Sequence, residues 1–189
     1  AAARVASLGY AVPGSVIAVG VLVPFAVLDT GIDGFARDTF GVSTGLLLTG
    51  GLAALVFAYI VRFLAVALRA VEAGLTKVSP AMDGAARTLG CTPGQVLRRV
   101  HVPVVRAGLI TGGLLVFVDV MKELPATLIM RPFNFDTLAV RAYELAADER
   151  LADSASAALA IVAVGLVPVL ILGRAVGRAR PGSQAPALP

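Results

Sequence analysis

The chain has 189 residues, of which 58% are hydrophobic and only 15% charged. Soluble domains run at about 45–50% apolar and about 25% charged residues, so this composition excludes an ordinary water-soluble fold and describes a membrane protein. The formal net charge is +4, but the basic residues flank apolar runs, where membrane topology already places them, which removes the case for nucleic-acid binding.

In chain order, the sequence opens Ala1-Ala2-Ala3-Arg4 with no leading Met and no recognisable signal peptide, and is expected to be a piece begun further upstream. A spanning helix needs about 20 mostly apolar residues. Residues 8–28 supply the first such stretch, with Pro13 in its early turns, and residues 42–68 the second, interrupted by Arg62. A third is expected over residues 104–122. Its uncharged part, Ala107–Val118, covers only ~18 Å at 1.5 Å per residue, too short for a hydrocarbon core of about 30 Å. That helix must therefore carry Asp119, with Lys122 and Glu123 close behind, to membrane depth. Residues 154–172, with Pro168 near their end, form the fourth, and the Pro-, Ala-, Gly- and Ser-rich tail 181–189 is expected to be disordered. Small residues recur four apart at Gly50, Ala54 and Ala58 and at Gly108 and Gly112, the spacing that lets membrane helices approach closely. The fold class is thus an all-α, polytopic transmembrane helix bundle.

Charge orients it. Arg4, Arg69, Lys77, Arg87, Arg98, Arg99, Arg106, Arg174, Arg178 and Arg180 fall on one set of connections, and Arg37, Arg131, Arg141 and Arg150 on the other. The richer set belongs in the cytoplasm. Both ends and the 69–106 connection are therefore expected inside, with the Asp29–Asp38 loop and the 123–153 loop outside. Most acidic residues lie on that outer side, in agreement.

The connection between the second and third spans, residues 79–103, carries the most specific local signals. Ser79 suits an N-cap and Pro80 the first helical position. Gly90 suits the left-handed position that closes a helix. Thr92, Pro93 and Gln95 then read as a second start with a capping box. Pro103 is expected to end that second helix, because the residue before a proline is pushed out of helical geometry. Two short helices joined by a tight turn follow.

Ala85-Ala86, then Gly90 after three residues, then Val100-x-Val102-Pro103 after nine more, resembles the EAA loop of ABC importer permeases. The resemblance implies a type I permease core whose two-helix cytoplasmic loop docks on a separate ATPase. Asp83, Gly84, Ala85, Ala86, Arg87, Gly90, Arg98, Arg99, Val100 and Pro103 would form that coupling site. Gly84 stands where the family has Glu, which removes an anion and costs about 1 kcal/mol in a helix interior. Asp83 is a neighbour about 100° around the helix. Leu8-Gly9-Tyr10-Ala11-Val12-Pro13-Gly14, Tyr59-x-x-Arg62-Phe63-Leu64-Ala65, the run Asp119 to Leu128, and Phe135 to Leu145 are similar to the ferric-iron uptake branch. Relatives of that branch handle polyamines, thiamine, phosphonates, sulfate and other small solutes. The implied partners are a cytoplasmic ATPase dimer, a periplasmic or lipid-anchored solute-binding protein, a second permease half and the lipid bilayer of a bacterial inner membrane. The family pattern places this chain, over residues 1–180, in the C-terminal part of a longer permease.

At helical spacing Lys122 can pair with Asp119, and Pro125 should end or kink the helix. Asp119, Lys122, Glu123 and Pro125 are the candidate lining or gate of a pathway, because charges at membrane depth face a wet cavity or a bundle interior. The competing reading is an ion pair that pins the third span to a neighbour or to Arg141. An ion-driven secondary transporter would use such charges too, but would not need the 79–103 loop. An intramembrane enzyme finds no support: His101, the only histidine, lacks partners for a metal site or a triad, Cys91 reads as a small apolar residue, and there is no phosphate-binding glycine loop. No cofactor or metal is expected in this chain, and any ATP hydrolysis falls to a partner. Cysteines placed at Asp33 and Asp148 should react with an impermeant thiol reagent from outside intact cells, and one placed at Gln95 only after the membrane is opened; the reverse pattern overturns the orientation.

Overall fold

The computed structural model describes residues 9–178, with side chains to Arg174. Expectations for Arg4 and for the 181–189 tail lie outside the described residues. Helix α1 runs Gly14–Phe40, α2 Leu52–Leu75, α3 Pro80–Thr88, and α4 Pro93–Val96. A π turn, Leu97–His101, follows, then α5 Val102–Met121, α6 Pro125–Met130, α7 Leu138–Ala147 and α8 Leu151–Arg178. Helix α4, the π turn and α5 form one continuous 29-residue rod, Pro93–Met121. That rod, α1, α2 and Leu151–Arg174 of α8 are long and apolar enough to cross a membrane. The shortest of these, at 24 residues, is about 36 Å long, against a core of about 30 Å. Large apolar side chains such as Val23, Val27, Ile110, Val162 and Ile171 point outward and are exposed, the pattern of a lipid-facing surface rather than a water-facing one.

The bundle is built around α2, which packs on α1, α5 and α6. Ile17, Ala18 and Val21 of α1, Ala54, Leu55 and Ala58 of α2, and Ala126 and Met130 of α6 make one buried cluster. Along the other side of α2, the glycines of α5 replace side chains altogether. A Cβ on Gly108 would sit 2.8 Å from the Ala70 carbonyl oxygen, and one on Gly112 2.6 Å from the Ala70 methyl. Gly74 meets Val105 in the same seam. Close backbone approach of this kind supplies dispersion where lipid gives no hydrophobic drive. The expected 50–54–58 row is shorter than the spacing implied: Gly50 precedes the helix and lies against the Leu46 carbonyl, so only Ala54 and Ala58 contribute.

The structure corrects two boundaries. Asp29–Asp38 is helix, not loop, because α1 continues to Phe40 and closes on Gly41 at φ 67°. Two of its three carboxylates, Asp29 and Asp33, find protein partners there. The fully buried Asp29 accepts the backbone N–H groups of Leu47, Leu48 and Thr49 and the Thr49 hydroxyl at 2.7–3.1 Å. Asp33, one turn on, accepts from the Ser43 hydroxyl and from the Thr44 and Gly45 N–H groups at 2.7–3.0 Å, and from Arg37 at 2.7 Å. Residues 42–51, read from hydropathy as the start of a span, therefore run back along α1 without regular structure, and α2 begins only at Leu52.

The second correction concerns Pro103. Val102 is helical, with φ −57° and ψ −47°, so the second loop helix does not end there. Proline removes one N–H and its ring clashes with the carbonyl four residues back. The π turn immediately before it widens the ladder and absorbs both defects. The anchoring role of Asp33 makes the exposed Asp38 the sounder position for the labelling test. Asp29→Ala should lower stability by about 2–4 kcal/mol, since it strands several donors, and Asp29→Asn by less. Thermal unfolding of purified protein in detergent measures this, and an Asp29→Ala protein as stable as wild type would show that Asp29 is not holding residues 47–49.

Candidate functional site

The 79–103 loop is a rigid elbow. Helix α3 closes in a Schellman motif: the Gly90 N–H donates to the Arg87 carbonyl at 2.9 Å and the Cys91 N–H to the Ala86 carbonyl at 3.0 Å. Gly90 has φ 80°, a value that disfavours any side chain. Thr92 then caps α4, and its own N–H is taken by the Gln95 side chain at 3.0 Å. Asp83, Gly84, Ala85, Ala86, Arg87 and Gly90 thus come together on α3 and its turn. Arg98, Arg99 and Val100 lie in the π turn, with Pro103 just beyond it.

The two alanines divide the labour. Ala86 is buried and Ala85 exposed, so the first seats α3 on the rod and the second offers a close-approach surface. Arg87, Arg98 and Arg99 are exposed and form no ion pair among the described residues. Leu89, unremarked in the sequence, is 85% exposed beside Gly90. Its only sequence signal is its place before the closing glycine. Gly84 has open space around its Cβ position. Asp83 does not stand in for the missing Glu on that free surface, because it turns inward to His101, Oδ1 to Nε2 at 2.7 Å.

The charged group at the end of α5 splits in two. Asp119 and Lys122 pair at 3.1 Å as expected. Asp119 borders a cavity of about 640 Å³ together with Tyr10, Arg69 and Thr111 on walls otherwise apolar. Glu123 leaves this group. The rod ends at Met121, Lys122 breaks the helical geometry, and α6 restarts with Pro125 at its first position. That break drives Glu123 into the bundle, 6% exposed. There its Oε2 lies 3.2 Å from Arg62 Nε of α2, and its Oε1 accepts the Ala126 N–H at 3.3 Å. Arg62 also donates to the Val12 carbonyl at 3.1 Å and lies over the Phe63 ring. The Thr127 hydroxyl donates to the Glu123 carbonyl at 2.7 Å and hydrogen-bonds Tyr59. Gly14 presses on the pair so closely that a Cβ would sit 2.5 Å from Glu123 Oε1.

Residues 1–180 match the family described as binding-protein-dependent transport system inner membrane component. The chain belongs to that family. It is 28% identical over 169 residues to the Fe(3+)-transport system permease protein FbpB 2 of Haemophilus influenzae, covering 89% of this chain and 30% of that protein. It is 30% identical over 104 residues to the candidate 2-aminoethylphosphonate transport system permease protein PhnV of Salmonella paratyphi A, covering 55% of this chain and 39% of the relative. The chain thus spans about a third of the length of these relatives.

For this member of the family, Arg62 is the residue that sequence reading left aside. It stands in a matched motif and interrupts an apolar run, and that interruption was the available signal: a charge at membrane depth needs a partner. The α5 group was expected to pair with a neighbouring helix or with Arg141, and the structure places Glu123 against Arg62 of the neighbouring α2. Removing one member of a buried pair costs about 3–5 kcal/mol, whereas replacing both by apolar residues is often neutral. Arg62→Met and Glu123→Leu should therefore each cut membrane abundance and thermal stability, and the double replacement should recover most of the loss. Single variants of unchanged stability would remove the pair from the fold's supports.

Proposed function

We propose that this chain is the inward-coupled part of the permease of an ATP-driven solute importer. The observation that carries the reading is the 79–103 elbow. It offers Arg87 and the small Ala85 on one short helix, the exposed Leu89 at its end and Arg98 and Arg99 on the π turn, and is continuous through the rod with a membrane span. A cytoplasmic ATPase dimer closing on α3 would tilt α4, the π turn and α5 together. In this scheme a solute-binding protein delivers from the side of α7, a second permease half completes the pathway, and both ends of the chain lie in the cytoplasm of a bacterial cell.

The cavity bordered by Asp119 is this chain's share of the route. Glu123 belongs to the scaffold instead, and Pro125 to the break that turns it inward. The proposed solute is ferric iron, supported by the ferric-branch motifs and by the likeness to FbpB 2. An aminophosphonate is the second reading: Asp119 and Arg69 put both signs of charge on one cavity, which suits a zwitterion, and the likeness to PhnV points the same way. Uptake of radiolabelled ferric iron against 2-aminoethylphosphonate by cells carrying the whole transporter separates the two. Asp119→Asn should keep normal abundance and change uptake rate or solute preference; normal uptake in that variant removes the cavity from the route. Gly90→Leu and Ala85→Asp should leave the protein inserted while uptake falls and ATP hydrolysis loses its link to solute, and normal uptake in both would eliminate the coupling role.

A further inference from the structure

Helix α3 is short, and its packing partners are α4 and the π turn of the rod. It joins the rod covalently only through the turn at Leu89–Cys91. A single turn is a pivot: it fixes a position and leaves an angle free. The second attachment is the Asp83–His101 bond, which spans 18 residues of sequence at 2.7 Å between partly buried side chains. Among the described residues it is the one side-chain hydrogen bond from α3 to the rod; the Thr88 hydroxyl bonds locally, to the Ala85 carbonyl.

Both partners are placed by the local fold. Asp83 sits in the first turn of α3, where the helix end favours a negative charge. His101 closes the π turn, so its direction is set by the same irregularity that accommodates Pro103. The two attachments lie at opposite ends of α3, Asp83 near its start and Gly90 past its end. Together they turn a pivot into a braced lever.

Resting on the coupling role proposed above, we infer that Asp83 and His101 are a positioning pair that fixes the angle of α3 to the membrane rod and so passes ATPase movement to α5. Neither side chain lines the cavity bordered by Asp119. The pair acts through α3. It also accounts for the placement of Asp83: the anion of the loop holds the lever rigid, while the neighbouring position 84 carries only Gly on the docking side.

The test uses the whole transporter, with its ATPase and binding protein, reconstituted in proteoliposomes. Asp83→Asn, His101→Ala and the exchanged pair Asp83→His with His101→Asp are compared with wild type and with Gly90→Leu. Solute moved per ATP hydrolysed is measured beside the amount of ATPase retained on the permease. The single variants should retain the ATPase and lose solute per ATP by about tenfold, the equivalent of one charge-assisted hydrogen bond. The exchanged pair should recover most of it, a rescue that simple loss of packing would not give. Spin labels at Ala81 and Leu109 should report a broadened distance distribution in the singles and a narrow one in the exchanged pair. Wild-type stoichiometry in the single variants overturns the brace. If Gly90→Leu is uncoupled in the same experiment, the loop reading survives without it; if Gly90→Leu is also normal, that reading falls as well. Loss of the ATPase from all three pair variants, the exchanged pair included, would make the pair a folding element of the loop and overturn the positioning role.

Discussion

The contact on which the described bundle depends is the buried approach of Glu123 to Arg62. It joins the end of the third spanning helix to the middle of the second, and through the Val12 carbonyl it also holds the approach to the first. Bringing a guanidinium and a carboxylate out of water costs several kcal/mol per ion, recovered only when the remaining donors and acceptors are met. Here the Ala126 N–H, the Val12 carbonyl, the Phe63 ring and the bare backbone of Gly14 all close on the pair, while Arg62 Nε, buried 3.2 Å from Glu123, makes no hydrogen bond and is held by charge alone. Tyr59 and Thr127 extend the polar network one layer further. The break after Met121 is what makes this possible. Had α5 continued as helix, Glu123 would have shared a face with Asp119 one turn earlier, and both carboxylates would have competed for the same cavity wall.

The same break separates two roles that share a few residues of chain. Asp119 stays at the cavity with Lys122, and Glu123 becomes scaffold. A charge run that reads as one functional group is therefore two groups in different surroundings. The distinction depends on backbone direction over Lys122–Leu124, which no periodicity reports.

Helix content and the four apolar segments were legible because a bilayer demands length and composition, and both are visible in a string of residues. The two helix starts in the 79–103 loop were equally plain, since Ser79-Pro80 and Thr92-Pro93 are local chemistry that tertiary context did not override. Three things were hidden. The carboxylates of Asp29 and Asp33 looked like a polar loop because their donors lie 10 to 20 residues away. Pro103 looked like a terminator because the rule for the preceding residue presumes an α-helical ladder, and a π turn is another solution. Arg62 gave a signal, but its partner sits 61 positions on in a segment whose direction turns on a helix break. For the two acids and for Arg62 the missing information was long-range pairing of a polar group, which hydropathy reads only as a cost; for Pro103 it was a local change of helix type.

The extra residue in the π turn has a further consequence, for the phase of the helix beyond it. One residue corresponds to about 100° of rotation in an α-helix, so the turn sets which stripe of α5 meets protein and which meets lipid. In the observed phase Gly108 and Gly112 abut Ala70, while Leu109 and Ile110 point away from the bundle. A strictly α-helical path from Pro93 would offset the two stripes, bringing bulky side chains toward the α2 backbone and turning glycines to the acyl chains. The proline thus acts as a register mark for a seam that begins two residues later, at Val105.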